Sequence, residues 1–338
     1  MEAVILKTSS GARFHFGTFS NNDNALNRCA EIIHSDIIFG ALIQAINSIS
    51  PQSLHTIKEQ FEKGNIKISS AFYCIANQST GKYVYLLPKP MSQDLALSDD
   101  FKKLRKVKYI SKGVWEKGIG AADWFNQSGN CHSPDGNFVV LKTELDQLTP
   151  FRLSALQDSQ KVQVRTKQET GNLYTQTDLV LLGNQENKIY WYFLLEENNC
   201  LPECSQLLRK AIEVMSQRGI GGERSTGCGK IDAVEYRTFS LAIDHTGDQY
   251  ASISLTIPAS KELGRLQLYK VITRGGMHLG PAKRLPVIHA IGEGAVQSAP
   301  LSGAIVDCSI PGYPSWRYGC NVSLPLHINH CTTTNPGL

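Results

Sequence analysis

The sequence predicts an α+β fold, and three observations predict it. An apolar run, "EAVILKTSS", is followed by a long stretch with apolar residues at helical spacing. Two more apolar runs near residues 177–197 precede a second amphipathic stretch, "LPECSQLLRKAIEVMSQR". A last run, "IDAVEYRTFSL", closes the series. The order strand, helix, strand, strand, helix, strand is the βαββαβ pattern of a ferredoxin-like (RRM-like) domain.

The first strand is apolar on consecutive residues, as a central strand covered on both faces would be. Leu26, Cys29, Ile33, Ile37, Leu42 and Ile46 predict one helix from Ala25 to Ile49, ended by Ser50-Pro51. "KISSAFYCIAN" and "GKYVYLLPKP" read as two strands about a turn at Ser79-Thr80-Gly81. From Met91 to about Thr177 the pattern loosens, first basic in "FKKLRKVKYISKGVWEKG" and then polar in "NQSGNCHSPDGN". Long apolar periodic segments are missing there, so this is read as an insertion and not as a domain of its own. "TDLVLLG" and "KIYWYFLLEE" then supply the two middle strands, joined by a turn containing Gly183-Asn184. A helix from Pro202 to Arg218 leads into the glycine-rich "GIGGERSTGCGK" and the strand 231–241. The first domain therefore spans 1–241, with its insertion at about 91–177 and its glycine loop at 219–230. Residues 242–338 form a β-rich second unit, with strand candidates "SISLTIP", "GRLQLYKVITRGG" and "SGAIVDCSI". A reduced copy of the first fold is one reading of it, which the sequence leaves open.

Composition excludes several classes. With 41% hydrophobic and 19% charged residues, the 338-residue chain can bury cores and is not disordered by composition. The formal charge of +4 is slight, so any polyanion site must come from local clustering. "MEAVILKTSS" lacks the pattern of a signal peptide, and "EIIHSDIIFGALIQAI" is too short and polar to span a membrane, so a soluble protein without membrane contact is expected. Nine scattered cysteines without a C-x-x-C pair point to free thiols in a reducing cytoplasm, with no metal centre and no cofactor expected.

The glycine loop is the most informative stretch. It places five glycines, Arg224, Ser225, Thr226 and Lys230 within twelve residues. Ordering so many glycines is entropically expensive, which makes sense where backbone must approach a ligand closely. The P-loop pattern fails, because Arg224 stands where a glycine belongs and Ile231 follows Lys230. A dinucleotide fingerprint fails too, since the loop follows a helix and leads into a strand. Amide groups and neighbouring cations remain, a combination suited to phosphates. The cluster Lys102, Lys103, Arg105, Lys106 and Lys108 is a second candidate, able to neutralise several phosphates or merely to solvate a face. His34, Ser35 and Asp36 fall in mid-helix on this reading, where polar residues need partners. No acid–base pair or triad has spacing specific enough to argue catalysis.

Taken together, these residues resemble the RAMP superfamily of repeat-associated RNA-binding proteins. "GIGGERSTGCGK" looks like its glycine-rich loop. "IIHSDIIFGAL", "YLLPKP", "KKLRKVKYIS" and "IGEGAVQSAPLSGAIVDCSIPGYPSWRYG" are similar, within it, to the subunits that bind the crRNA 5′ handle in type III-A CRISPR–Cas Csm effector complexes. The resemblance implies two ferredoxin-like domains, the second degenerate, and a non-catalytic scaffold. It implies binding of the crRNA 5′ tag and docking on the large polymerase-like subunit and the backbone RAMP subunits. The insertion would lie against the target RNA duplex. Gly221, Gly222, Arg224, Ser225, Thr226, Gly227, Gly229 and Lys230, with Lys89 and the lysine-rich stretch, carry over as RNA contacts. His34, Ser35 and Asp36 carry over as a motif supporting that loop from beneath. Two alternatives are a RAMP endoribonuclease, with His15 and His34 as candidate acid and base, and a backbone subunit of the same complex.

Overall fold

Why the first strand is apolar on consecutive residues is answered by its place in a sheet. The structure, a computed structural model, describes residues 1–19, 25–96, 100–145, 151–163, 172–278 and 283–332, so parts of the expected insertion at 97–99, 146–150 and 164–171 lie outside the described residues. In chain order it holds β1 (Glu2–Lys7), β2 (Arg13–Phe14), α1 (Ser35–Ile49), α2 (Leu54–Glu62), β3 (Ile66–Ile68), β4 (Phe72–Asn77) and β5 (Tyr83–Pro88). The insertion follows with α3 (Phe101–Lys106), β6 (Tyr109–Ser111), α4 (Lys112–Glu116), β7 (Cys131–His132), β8 (Phe138–Leu141), β9 (Ser154–Gln163) and β10 (Asn172–Leu181). Then come β11 (Asn187–Glu197), α5 (Pro202–Arg218) and β12 (Ala233–Thr238).

β1 runs antiparallel between β11 and β12, and β11 pairs antiparallel with β4 on its other side. Ala3, Val4, Ile5 and Leu6 are all fully buried there, sharing one core with Ile38 and Leu42 of α1 and Leu208 and Ile212 of α5. The sheet continues from β4 through β5, β6, β8 and β7. The insertion thus extends the main sheet, and its fully buried Trp115 and Trp124 join the common core. Its later part folds out as the hairpin β9–β10, in register from Ser154↔Leu181 to Gln163↔Asn172, with β2 on the far side of β10.

The structure corrects several sequence expectations. The strand order β12–β1–β11–β4 makes β4 the second strand of the βαββαβ series, a place expected for "TDLVLLG". That segment belongs to β10, in a separate three-stranded sheet, because β2 and β9 claim its two edges. "KISSAFYCIAN" breaks at Ser69-Ser70-Ala71 into β3 and β4, where the Ser69 hydroxyl accepts the Leu194 N–H at 2.8 Å. α2 was not foreseen. The first helix begins at Ser35 and not at Ala25: residues 29 and 33 form extended bridges to Gly17 and Ala71. Ser35 and Asp36 consequently sit in a first helical turn, which suits residues that compete with a helix interior.

In the second unit, strands Thr246–Ser252, Leu266–Leu268, Val296–Gln297 and Ser323–His327 make a four-stranded sheet, flanked by small two-stranded pairs. Among the described residues beyond Arg218 there are short 3₁₀ turns but no α-helix, so nothing there matches the helices of a reduced βαββαβ copy. The end of the chain folds back on the insertion. Trp115 Nε1 donates to the Pro325 carbonyl at 3.0 Å, Asn329 Nδ2 to that of Gly118 at 3.2 Å, and Ser92 Oγ to that of His330 at 2.5 Å.

Candidate nucleic-acid interface

α5 ends because Gly219 takes φ 76°, a conformation that L side chains avoid. The loop then closes on itself, with Ile220 N–H donating to the Gly229 carbonyl at 3.0 Å. Two further amides fasten it to β2 and its continuation: Gly222 to the His15 carbonyl at 2.9 Å and Gly229 to that of Arg13 at 2.7 Å. Phe14 and Phe16 stack at 5.7 Å and set their edges against Trp191, which fixes the platform beneath.

At the tip, Glu223 (φ 54°) and Gly227 (φ 90°) bracket a single 3₁₀ turn over Arg224–Thr226. Thr226 and Cys228 both donate their N–H groups to the Glu223 carbonyl, at 3.1 and 3.2 Å. Arg13 Nη2 adds a cross-link to the Thr226 carbonyl at 3.3 Å. Arg224 and Ser225 donate their N–H groups to no backbone carbonyl among the described residues, and both are exposed. Gly222, Thr226, Gly227 and Lys230 are exposed as well. The result is a rigid turn that presents amides, hydroxyls and two cations to solvent, the equipment for gripping phosphate oxygens.

The glycines divide into two kinds. Gly229 is buried, and a side chain there would run into the Ile220 carbonyl oxygen. At Gly221 (φ 93°) a Cβ would stand 2.7 Å from the His15 carbonyl oxygen. Both are required by the loop's own fold. Gly227 faces open space, and a Cβ at Gly222 would meet only the edge of the His15 ring at 3.2 Å. Gly227 is where a ligand backbone has room to approach, whereas the buried His15 ring would have to give way to a side chain at Gly222.

The lysine-rich stretch forms α3, anchored by its one buried residue, Leu104. Lys102, Lys103, Arg105, Lys106 and Lys108 are exposed. Lys103 pairs with Asp100 at 2.8 Å, Lys108 with Glu31 at 2.7 Å, and the Arg105 guanidinium lies 4.4 Å from the Phe101 ring centre. Exposed pairs of this kind contribute little and exchange readily for phosphate. The loop leans on β2 while α3 leans on the insertion, so the cations form two patches. Lys89 belongs to neither. Its side chain is only 8% exposed, and its ammonium donates to Asp94 at 2.6 Å and to the Leu104 carbonyl at 3.1 Å. It braces α3 from within, and the expectation that it contacts RNA is corrected accordingly.

His34, Ser35 and Asp36 do not support the glycine loop. They join the first unit to the second. His34 Nδ1 meets Glu293 Oε1 at 2.8 Å, and Ser70 Oγ donates to the same carboxylate. Ser35 Oγ accepts the Leu255 N–H at 3.1 Å. Asp36 receives Arg274 Nε and Nη2 at 2.9 and 3.0 Å and Arg317 Nη1 at 2.9 Å. Burial alone would raise the Asp36 carboxyl, but the two guanidiniums hold it below the usual carboxylate range. Burial likewise works against the charge on Glu293, and the His34 and Ser70 contacts outweigh it. His15 is buried as well, its Nδ1 2.9 Å from the Thr177 carbonyl. Sequence reasoning missed Arg13; its signal was the alternation Arg13-Phe14-His15-Phe16.

Residues 245–326 match the family model of the CRISPR Csm4 C-terminal domain. A Csm4 protein of the CRISPR system of Methanocaldococcus jannaschii is 24% identical over 315 residues, covering 82% of this chain and 79% of its own. One of Thermococcus onnurineus is 24% identical over 280 residues, covering 79% and 82%. The chain is similar to Csm4 proteins over most of its length. Its fold agrees: a Csm3–Csm4 subcomplex of the type III-A CRISPR–Cas interference complex matches with a TM-score of 0.69 at 21% identity, over 97% of this chain and 100% of that one. A Csm1–Csm4 cassette in complex with cA4 matches at 0.58 and 17% identity, over 97% and 98%. The contacts of His34 to Glu293 and of Asp36 to Arg274 and Arg317 therefore tie the first unit to the stretch that matches this family model. Among the described residues, no helix is long and apolar enough to cross a membrane.

Proposed function

We propose that the chain is a non-catalytic RNA-binding subunit of a type III-A Csm effector complex that holds the repeat-derived 5′ tag of crRNA. The observation that carries this reading is the braced glycine loop, which exposes Arg224, Ser225, Thr226 and Lys230 on a turn held by backbone bonds. A single-stranded tag has a bent backbone that amides and cations can follow without reading a duplex. The strand order of the first unit supports a ferredoxin-like domain over 1–241, with residues 242–338 as a second, degenerate unit docked on it. The relatives solved together with Csm3 and with Csm1 support docking on a backbone subunit and on the large subunit. On this reading the insertion lies along the guide–target duplex.

The test is a salt titration of full-length chain against repeat-derived RNA. Arg224→Ala with Lys230→Ala is expected to reduce affinity and to flatten the slope of log K against log salt by about two. An unchanged slope removes the loop from the RNA site. Specific cleavage of the same RNA that vanishes in His34→Ala overturns the non-catalytic assignment.

A further inference from the structure

Beside α3 the insertion encloses a cleft of about 550 Å³, within the size range of small-ligand sites. Its floor is Trp124, fully buried and held by a 2.7 Å bond from Nε1 to the Ile119 carbonyl. Phe125 lines the cleft half-buried, with Lys103 Nζ 5.7 Å from its ring centre. Lys106 and Lys142 complete a cationic rim, Lys142 being held in place by its bond to the Gln127 carbonyl at 2.8 Å. Asp135 also lines the cleft. Its Oδ1 accepts the Asn137 N–H at 2.8 Å, while its buried Oδ2 has no hydrogen-bond partner among the described residues. A buried carboxylate oxygen left without a donor is costly, which marks a place where a donor belongs.

We infer that this cleft takes one unstacked nucleotide of a single-stranded RNA, its base on Phe125 and its phosphate among Lys103, Lys106 and Lys142. An aromatic face flanked by cations suits a base with its phosphate, since stacking and charge neutralisation act on adjoining parts of the same unit. The inference rests on the RNA-binding reading above but assigns the lysine-rich helix a task separate from that of the glycine loop.

The experiment uses full-length protein and short single-stranded RNAs carrying a fluorescent purine analogue at one position at a time, with AMP and UMP as separate probes. One position is expected to lose emission on binding, as stacking quenches it, and to regain it in Phe125→Ala. Affinity in that variant should fall about 5- to 100-fold. Because Phe125 also packs on the core, the exposed Lys106→Ala provides a second reading, expected to lower affinity and reduce the salt slope by about one. Quenching at no position, with Arg224→Ala still weakening RNA binding, overturns the cleft and leaves the loop standing. No binding of RNA at all overturns both. Saturable binding of AMP without binding of RNA overturns the strand in favour of a free nucleotide.

Discussion

Replacing Asp36 by asparagine removes one buried charge and leaves two. The carboxylate is fully buried and accepts three N–H groups from guanidiniums that are themselves only 7% and 14% exposed. Asparagine keeps one acceptor and turns an NH₂ group toward donors, so Arg274 and Arg317 lose their counter-charge. Removing one partner from a buried ionic cluster costs about 3–5 kcal/mol, a large part of the 5–15 kcal/mol that is roughly the net stability of a folded domain. Urea unfolding at neutral pH should show that loss as a lower midpoint with an unchanged slope. The apolar triple variant Asp36→Leu, Arg274→Met, Arg317→Met should recover much of it, because no charge is then left buried. The carboxyl is held below its ordinary value, so its contribution is present above about pH 4 and is lost as pH falls through the lower folded value. A loss under about 1 kcal/mol for Asp36→Asn, or a triple variant as weak as the single one, would refute the reasoning.

Three further outcomes follow from the same geometry. Gly227→Ala should lose RNA affinity at a cost of only about 1 kcal/mol of backbone strain on melting, whereas Gly229→Ala, which meets the Ile220 carbonyl, should lose both affinity and stability. Burial pushes the His330 imidazole down to about 4, with His327 adding to the effect, so the ring is neutral in the fold. Stability should then be full above about pH 6.5 and decline on the order of 3 kcal/mol toward pH 4, with a flatter acid limb in His330→Asn. Lys89→Met should lower the melting temperature while leaving RNA affinity within about twofold, since its charge is spent on Asp94 and Leu104.

Legibility in the sequence followed locality. β1, α5, β11 and the glycine loop were readable because consecutive apolar residues, helical spacing and glycine density are properties of a short window. The start of α1 was misread because Cys29 and Ile33 keep a helical spacing with Leu26 while bridging to extended partners 12 and 38 residues away, at Gly17 and Ala71. The second strand was misassigned because β4 and "TDLVLLG" are equally apolar, and only pairing partners distinguish them. Lys89 carried no local sign of burial, since Asp94 and Leu104 become its partners only once α3 folds over it. The partners of His34 and Asp36 lie more than two hundred residues away, beyond any pattern a single sequence displays.

The closing segment of the chain, fastened to Trp115, Gly118 and Ser92 by bonds that span 210 to 238 residues, bears on how the molecule is made. Synthesis proceeds from the amino terminus, and segments that can pack locally do so first. The insertion emerges early, yet the indole of Trp115 and the hydroxyl of Ser92 find their acceptors only after Pro325 and His330 have left the ribosome. Until then that surface is open, and its closure requires a loop of more than two hundred residues, a slow step by the entropy of bringing distant segments together. A chain cut short before Ser323 would carry the complete glycine loop and still hold its insertion unsealed.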